Sequence, residues 1–126
     1  LGTDLKEFFS DSSDEKFVFP AADTFVKEDE EAGVTIRWLV PSCQKNQMEP
    51  ILMILEPGAS APFHDPHEGE EFGYVLSGSV LVHRGALKKR VRRGDSFSFK
   101  SGVTHGLSNP GKIRARVLWV AHPPSF

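Results

Sequence analysis

The chain has 126 residues, a formal net charge of −2 and a single cysteine, Cys43. This length suits one compact domain that buries roughly two-thirds of its unfolded surface, and the near-balanced charge removes any global attraction to nucleic acid or an anionic membrane surface. One cysteine excludes an intrachain disulfide and a cysteine-only zinc site and fits a reducing cytoplasm, while no apolar run reaches the roughly 20 residues of a membrane span and the acidic start is unlike a signal peptide.

Residues 1–10, "LGTDLKEFFS", place Leu1, Leu5, Phe8 and Phe9 at helical spacing, with Thr3 or Asp4 as N-cap. A polar linker, "DSSDEK", follows at 11–16, and the short apolar "FVF" at 17–19 stops at Pro20. "KEDEEAG" at 27–33 reads as an acidic turn. From residue 34 the period becomes two: Val34, Ile36 and Trp38 alternate with Thr35, Arg37 and Leu39 as a half-buried strand. "PSCQKNQMEP" is a loop between prolines, and "ILMILE" at 51–56 is a buried strand ended by "PGASAP". "FGYVLSGSVLVHRG" reads as two strands around a turn at Ser77-Gly78, "LKKRV" as a third, and "RRGD" as the next turn. "SFSFK" puts Phe97 and Phe99 on one face. "SGVTHGLSNPGK" mixes a short strand with turns, and in "IRARVLWVA" Ile113, Ala115, Val117 and Trp119 share a face. Short strands every eight to twelve residues, punctuated by Gly and Pro, predict an all-β sandwich or barrel.

The segment "PFHDPHEGEEFGYVLSG", 62–78, concentrates chemistry. His67 and Glu71 are four apart, so a strand would aim both the same way. His64 has the wrong parity, unless Pro66 sits in a bulge that resets it; otherwise Asp65 takes the inward position. His105 comes later, in another strand just after a turn. Two or three imidazoles and a carboxylate suit a divalent transition ion such as Zn, Fe, Mn, Ni or Cu. The same residues also suit the polar rim of an ordinary pocket. No nucleophile stands beside a base at a catalytic spacing, so no catalytic residue is assigned, and no phosphate-cradling glycine loop is present. The basic hairpin at 83–93, with Arg84, Lys88, Lys89, Arg90, Arg92 and Arg93, reads as a strand edge blunted by charge rather than a DNA contact.

"PGASAPFHDPHEGEEFGYVLSG" resembles the first cupin motif through Gly58, His64, His67, Glu71 and Gly78, with two residues rather than one between the histidines. "GDSFSFKSGVTHGLSN" resembles the second through Gly94, Gly102, His105 and Asn109, with Lys100 in place of the usual Pro. The resemblance implies a double-stranded β-helix, a cupin jelly-roll barrel, with His67, Glu71 and His105 as metal ligands and either His64 or Asp65 as the fourth. "HEGEEFGYVLSGSV", "RRGDSFSF", "HGLSNPG" and "VLWVAHPPSF" are similar to the C-terminal cupin sensor of bacterial regulators that carry an N-terminal helix-turn-helix of the xenobiotic-response-element type. "LGTDLKEFFSD" resembles the last helix of that DNA-binding half, so 1–12 are expected to be a helix and linker remnant and 13–126 the cupin domain. The leading Leu fits a DNA-binding module upstream, through which alone DNA is contacted, and no residue of this fragment is assigned to DNA.

Two functions follow. In one, a small effector, an amine or a carboxylate, binds in the barrel mouth of a cytoplasmic, homodimeric regulator. In the other, the metal serves an enzyme of dioxygenase or isomerase type. Gly73, sharing parity with Glu71, is expected to leave room above the metal, and Phe97, Phe99 and Trp119 to wall the ligand space. Apolar edges such as "ILMILE" are expected to pair two copies.

Overall fold

The computed structural model describes residues 17–41 and 45–126. The helix expected over 1–10, the linker after it and Cys43 lie outside the described residues. Among the described residues the elements are a three-residue 3-10 turn, Ala21–Asp23, and nine strands: β1 Phe25–Asp29, β2 Val34–Trp38, β3 Glu49–Leu55, β4 Glu70–Ser77, β5 Ser79–Arg84, β6 Leu87–Arg92, β7 Ser96–Lys100, β8 His105–Ser108 and β9 Ala115–His122. A six-stranded sheet runs β1-β2-β3-β9-β4-β7 and faces a three-stranded sheet β6-β5-β8. The architecture is the expected all-β jelly roll.

The two central strands explain why. Along β3, Ile51, Met53 and Leu55 are buried while Leu52 and Ile54 are half-buried; along β9, Ala115, Val117, Trp119 and Ala121 are buried. Period-two patterning thus puts one face of each strand into the interior. Their antiparallel register, from Glu49↔Ala121 to Leu55↔Ala115, makes a continuous floor that Val75, Val80 and Leu107 complete from other strands. Each fully buried aliphatic side chain contributes about 1.5–3 kcal/mol.

Three expectations change. β1 occupies part of the stretch read as an acidic turn. It is an edge strand whose five residues are all exposed, so no burial pattern announces it; pairing with β2, from Phe25↔Trp38 to Asp29↔Val34, holds it instead. "ILMILE" is no sheet edge, because β3 has β2 on one side and β9 on the other. Ile113 does not join the buried face of β9: it precedes the strand and is exposed. At Gly78 the chain passes from the large sheet to the small one, and a Cβ there would stand 2.6 Å from the Arg114 carbonyl oxygen. This close approach, with a positive φ of 72°, requires glycine.

The end of the described chain is anchored by Glu49. Its carboxylate, 3% exposed, accepts hydrogen bonds from the Ser125 and Phe126 backbone N–H groups at 2.9 and 2.7 Å and from the Trp38 indole N–H at 3.2 Å. Phe126 is thereby set against Trp119, ring centroids 5.2 Å apart. Glu49→Ala removes an acceptor shared by three donors. The expected outcome is a loss of about 1–3 kcal/mol of stability in urea unfolding, with faster amide exchange at Ser125 and Phe126; unchanged exchange there would show that the tail is held by other means.

Candidate metal centre

Each side chain of the cluster is delivered by a different piece of backbone. Glu71 sits near the start of β4, with even-numbered neighbours exposed and odd-numbered ones buried, so it points inward and is 1% exposed. His105 opens β8 and is fully buried. His64 does not belong to β4 at all. It forms an isolated antiparallel bridge with His105, its N–H reaching the His105 carbonyl at 2.8 Å and the His105 N–H returning to the His64 carbonyl at 3.2 Å. Residues directly opposed across an antiparallel pair project to the same side, so the parity conflict disappears without a bulge. His67 is held by its N–H to the Ser101 carbonyl at 2.9 Å, and the intervening turn closes with Ser101 N–H on the Gly69 carbonyl at 3.0 Å. Gly69 has φ of 123°, and a Cβ would strike the His122 carbonyl, so no other residue fits the turn.

The structure brings His64, His67 and His105 together: their ligand-capable ring nitrogens lie within 4.8 Å of one another. Glu71 joins them, with Oε2 against His105 Nε2 and 3.3 Å from His67 Nε2. Asp65 is exposed and stands outside the cluster.

Protonation is set by the carbonyls behind the rings. His105 Nδ1 donates to the Val103 carbonyl at 2.7 Å and His67 Nδ1 to the Glu68 carbonyl at 2.9 Å. A carbonyl only accepts, so each Nδ1 carries a proton and each ring turns its Nε2 into the site. Glu71 Oε2 already accepts from Ser101 Oγ at 2.9 Å. His67 Nε2, His105 Nε2 and Glu71 Oε1 are buried without a hydrogen-bond partner. A cation placed among these atoms would give them the partner they lack. These residues fit a divalent metal: imidazoles and a carboxylate, with His67, His105 and Glu71 each oriented from behind by a carbonyl or hydroxyl. Burial pushes the His64 imidazole below its ordinary value; Glu71 opposes this, and His105 and His67 add to it. A depressed value keeps that ring neutral near pH 7, as a ligand must be.

Aromatic rings enclose the cluster. The His64 ring stacks on Trp119 at 6.2 Å and 17° and meets the edge of Phe126 at 5.8 Å. Phe99 lies 5.3 Å from His105, and Phe97 packs on Phe99 and Trp119 at about 6 Å. The expectation that Gly73 leaves ligand space is corrected here: the Phe97 ring occupies the place a Cβ would take, and the two residues are register partners across β4 and β7. Spacing and periodicity give Ser101, Glu49 and Phe126 no role at the site, since each acts through a contact more than 25 residues away.

The Cupin domain family model matches residues 51–121. The HTH-type transcriptional regulator PuuR of Escherichia coli (strain K12) is 25% identical over 127 residues, spanning 99% of this chain and 68% of that protein. Among solved structures, a predicted oxalate decarboxylase from Thermotoga maritima superposes with a TM-score of 0.72 at 22% identity, covering 86% of this chain and 100% of that one. The Cupin_2 domain of an XRE family transcriptional regulator from Enterobacter cloacae gives a TM-score of 0.66 at 20% identity, covering 74% and 99%. The two structural likenesses speak for the fold.

Gly73→Ala should clash with the Phe97 ring and destabilise the protein by about 1–3 kcal/mol, read as a lower urea midpoint, and the double change Gly73→Ala with Phe97→Leu should recover part of it. A neutral Gly73→Ala would mean that the ring does not need the missing side chain.

Proposed function

The chain belongs to the cupin family, and we propose that it is the small-molecule-sensing domain of a bacterial helix-turn-helix transcriptional regulator, with a divalent transition metal (Zn, Fe, Mn, Ni or Cu) held by His64, His67, Glu71 and His105. The observation that carries the regulator reading is the reach of the likeness to PuuR. It runs over 99% of this chain, well beyond the residues 51–121 that match the barrel family. A barrel alone would not favour a regulator over an enzyme, because the same fold serves both.

Support for the metal comes from the donor set: His67 Nε2, His105 Nε2 and Glu71 Oε1 are buried without a hydrogen-bond partner. When bound, the ion supplies a Lewis-acidic anchor for an oxygen-bearing ligand. The chain's own residues do the rest. Val103 and Glu68 carbonyls hold the His105 and His67 imidazoles in one orientation, Ser101 orients Glu71, and Trp119 and Phe126 pack against the His64 ring.

The regulator acts in the cytoplasm as a homodimer and contacts DNA through a module upstream of residue 1. The outer face of the six-stranded sheet supports dimerisation. Leu52, Leu118 and Tyr74 are successive register partners on β3, β9 and β4, and Phe72 opposes Val120. Phe72 and Tyr74 are 41% and 38% exposed, and a contiguous apolar stripe of this kind marks an interface. Effector occupancy would shift the population of dimer arrangements and so the separation of two upstream recognition helices.

Elemental analysis of the purified protein is expected to give about one transition-metal ion per chain. His105→Ala should lower the content at least about tenfold without loss of β circular dichroism, and an unchanged content would remove the metal from the reading. The coding sequence upstream of Leu1 is expected to encode a helix-turn-helix module whose product footprints a palindromic DNA site. An in-frame start codon directly before Leu1 would reject the regulator.

A further inference from the structure

A second feature lies beside the histidine cluster, on the other side of the phenylalanine pair. A cavity of about 760 Å³ opens where edge strands β6 and β7 of the two sheets face each other, with Val82, Val91, Phe97 and Phe99 forming its apolar wall. Arg84 and Lys89 also line it. Their direction follows from the strands. Val80 and Val82 are buried, and Arg84 continues their face along β5; Val91 is buried, and Lys89 shares its face on β6. Lys89 opposes Val82, and Arg84 opposes Leu87. Both cations therefore stand on the inner side of the small sheet, as diagonal neighbours.

Neither the Arg84 nor the Lys89 side chain makes an ion pair or hydrogen bond with any described residue. Arg90, also in the lining, is bound to the Ser79 hydroxyl, and the carboxylate there, Asp95, accepts from the Arg92 backbone N–H. An inward charge on an edge strand can serve to block aggregation, which accounts for Lys89 on β6. It does not account for Arg84, because β5 is the central strand of its sheet. Arg84 is moreover the register partner of His105, so one row across the small sheet reads Leu87, Arg84, His105 and His64. The exposed Arg84 at the cavity and the buried candidate metal centre thus lie in sequence along one row of the small sheet.

We propose that this cavity binds a small organic anion, a carboxylate with an apolar body, whose charged end is taken by Arg84 and Lys89 and whose hydrocarbon lies on Phe97 and Phe99. The inference rests on the sensor reading for its biological meaning and names the chemical class of the effector. A cationic amine is disfavoured, since the two unpartnered side-chain charges in the lining, Arg84 and Lys89, are both positive and unlike charge decides between ligands of equal shape. Arg presents two N–H groups to a carboxylate where Lys adds a point charge. Contact of Phe99 with His105 gives occupancy a direct route to the cluster.

The test is titration calorimetry on this chain with benzoate, hexanoate and adipate against benzylamine and hexylamine. At least one carboxylate should bind one-to-one, more weakly at high salt, and the amines should not. Arg84→Gln and Lys89→Gln should each weaken that carboxylate about tenfold or more while keeping the unfolding midpoint, and Lys88→Gln, on the outer face, should not. The proposal is overturned if no carboxylate of the series binds or if amines bind equally. It is also overturned if the Arg84 and Lys89 variants bind normally while His105→Ala does not, which would make the anion a metal ligand only. Release of the upstream module from DNA is read separately: carboxylate binding without release keeps the cavity assignment and rejects the sensor.

Discussion

The convergence of one buried carboxylate with three imidazoles is the constraint from which the rest of this structure is understood. The Glu71 carboxylate meets the Nε2 atoms of His67 and His105 where His67 Nε2, His105 Nε2 and Glu71 Oε1 have no hydrogen-bond partner. Buried polar atoms without a partner are costly unless an ion or a ligand completes them. The surroundings hold the atoms in place rather than relieve them. Backbone carbonyls occupy both Nδ1 protons, and the Ser101 hydroxyl fixes the carboxylate. Rigid antiparallel pairing on β4 and β8 leaves little room to relax. The interior is thus organised for positive charge.

Around this centre the barrel is closed by aromatic rings rather than by more backbone. Trp119 joins the floor of the large sheet to the histidines, and Phe126 covers it from the far side because Glu49 captures the backbone at 125 and 126. Glu49 also binds Trp38, whose ring meets Phe25 of the edge strand. One buried carboxylate therefore couples the outermost hairpin, the chain's last residues and the lid of the metal centre. Phe97 and Phe99 close the opposite side, and Phe97 fits only because Gly73 leaves it the volume of a side chain.

The two sheets differ in what they present. The large sheet turns an apolar stripe outward. The small sheet carries the exposed Arg84 and Lys89 at a cavity that shares a phenylalanine wall with the histidines. A molecule held there would touch the same rings that pack on His105 and Trp119. Packed interiors respond to such occupancy by choosing between arrangements rather than by yielding gradually.

Much of this was legible in the residue order because it depends on local periodicity. Alternation in "ILMILE", "SFSFK" and "ARVLWVA" specifies strands and their buried faces through a repeat of two, and His67 with Glu71 inherits a common direction from the same rule. Motif spacing singled out His105 before any contact was known. What escaped was every feature made by partners distant in the chain. The fully exposed β1 carries no burial pattern, so only its pairing with β2 reveals it. His64 owes its direction to a bridge with His105, 41 positions later, and the choice between it and Asp65 was closed to parity reasoning. Gly73 looked like space and is filled by Phe97. Sequence determined which residues could face inward; tertiary structure alone decided which of them meet, because register between separate strands is settled by the whole core closing at once.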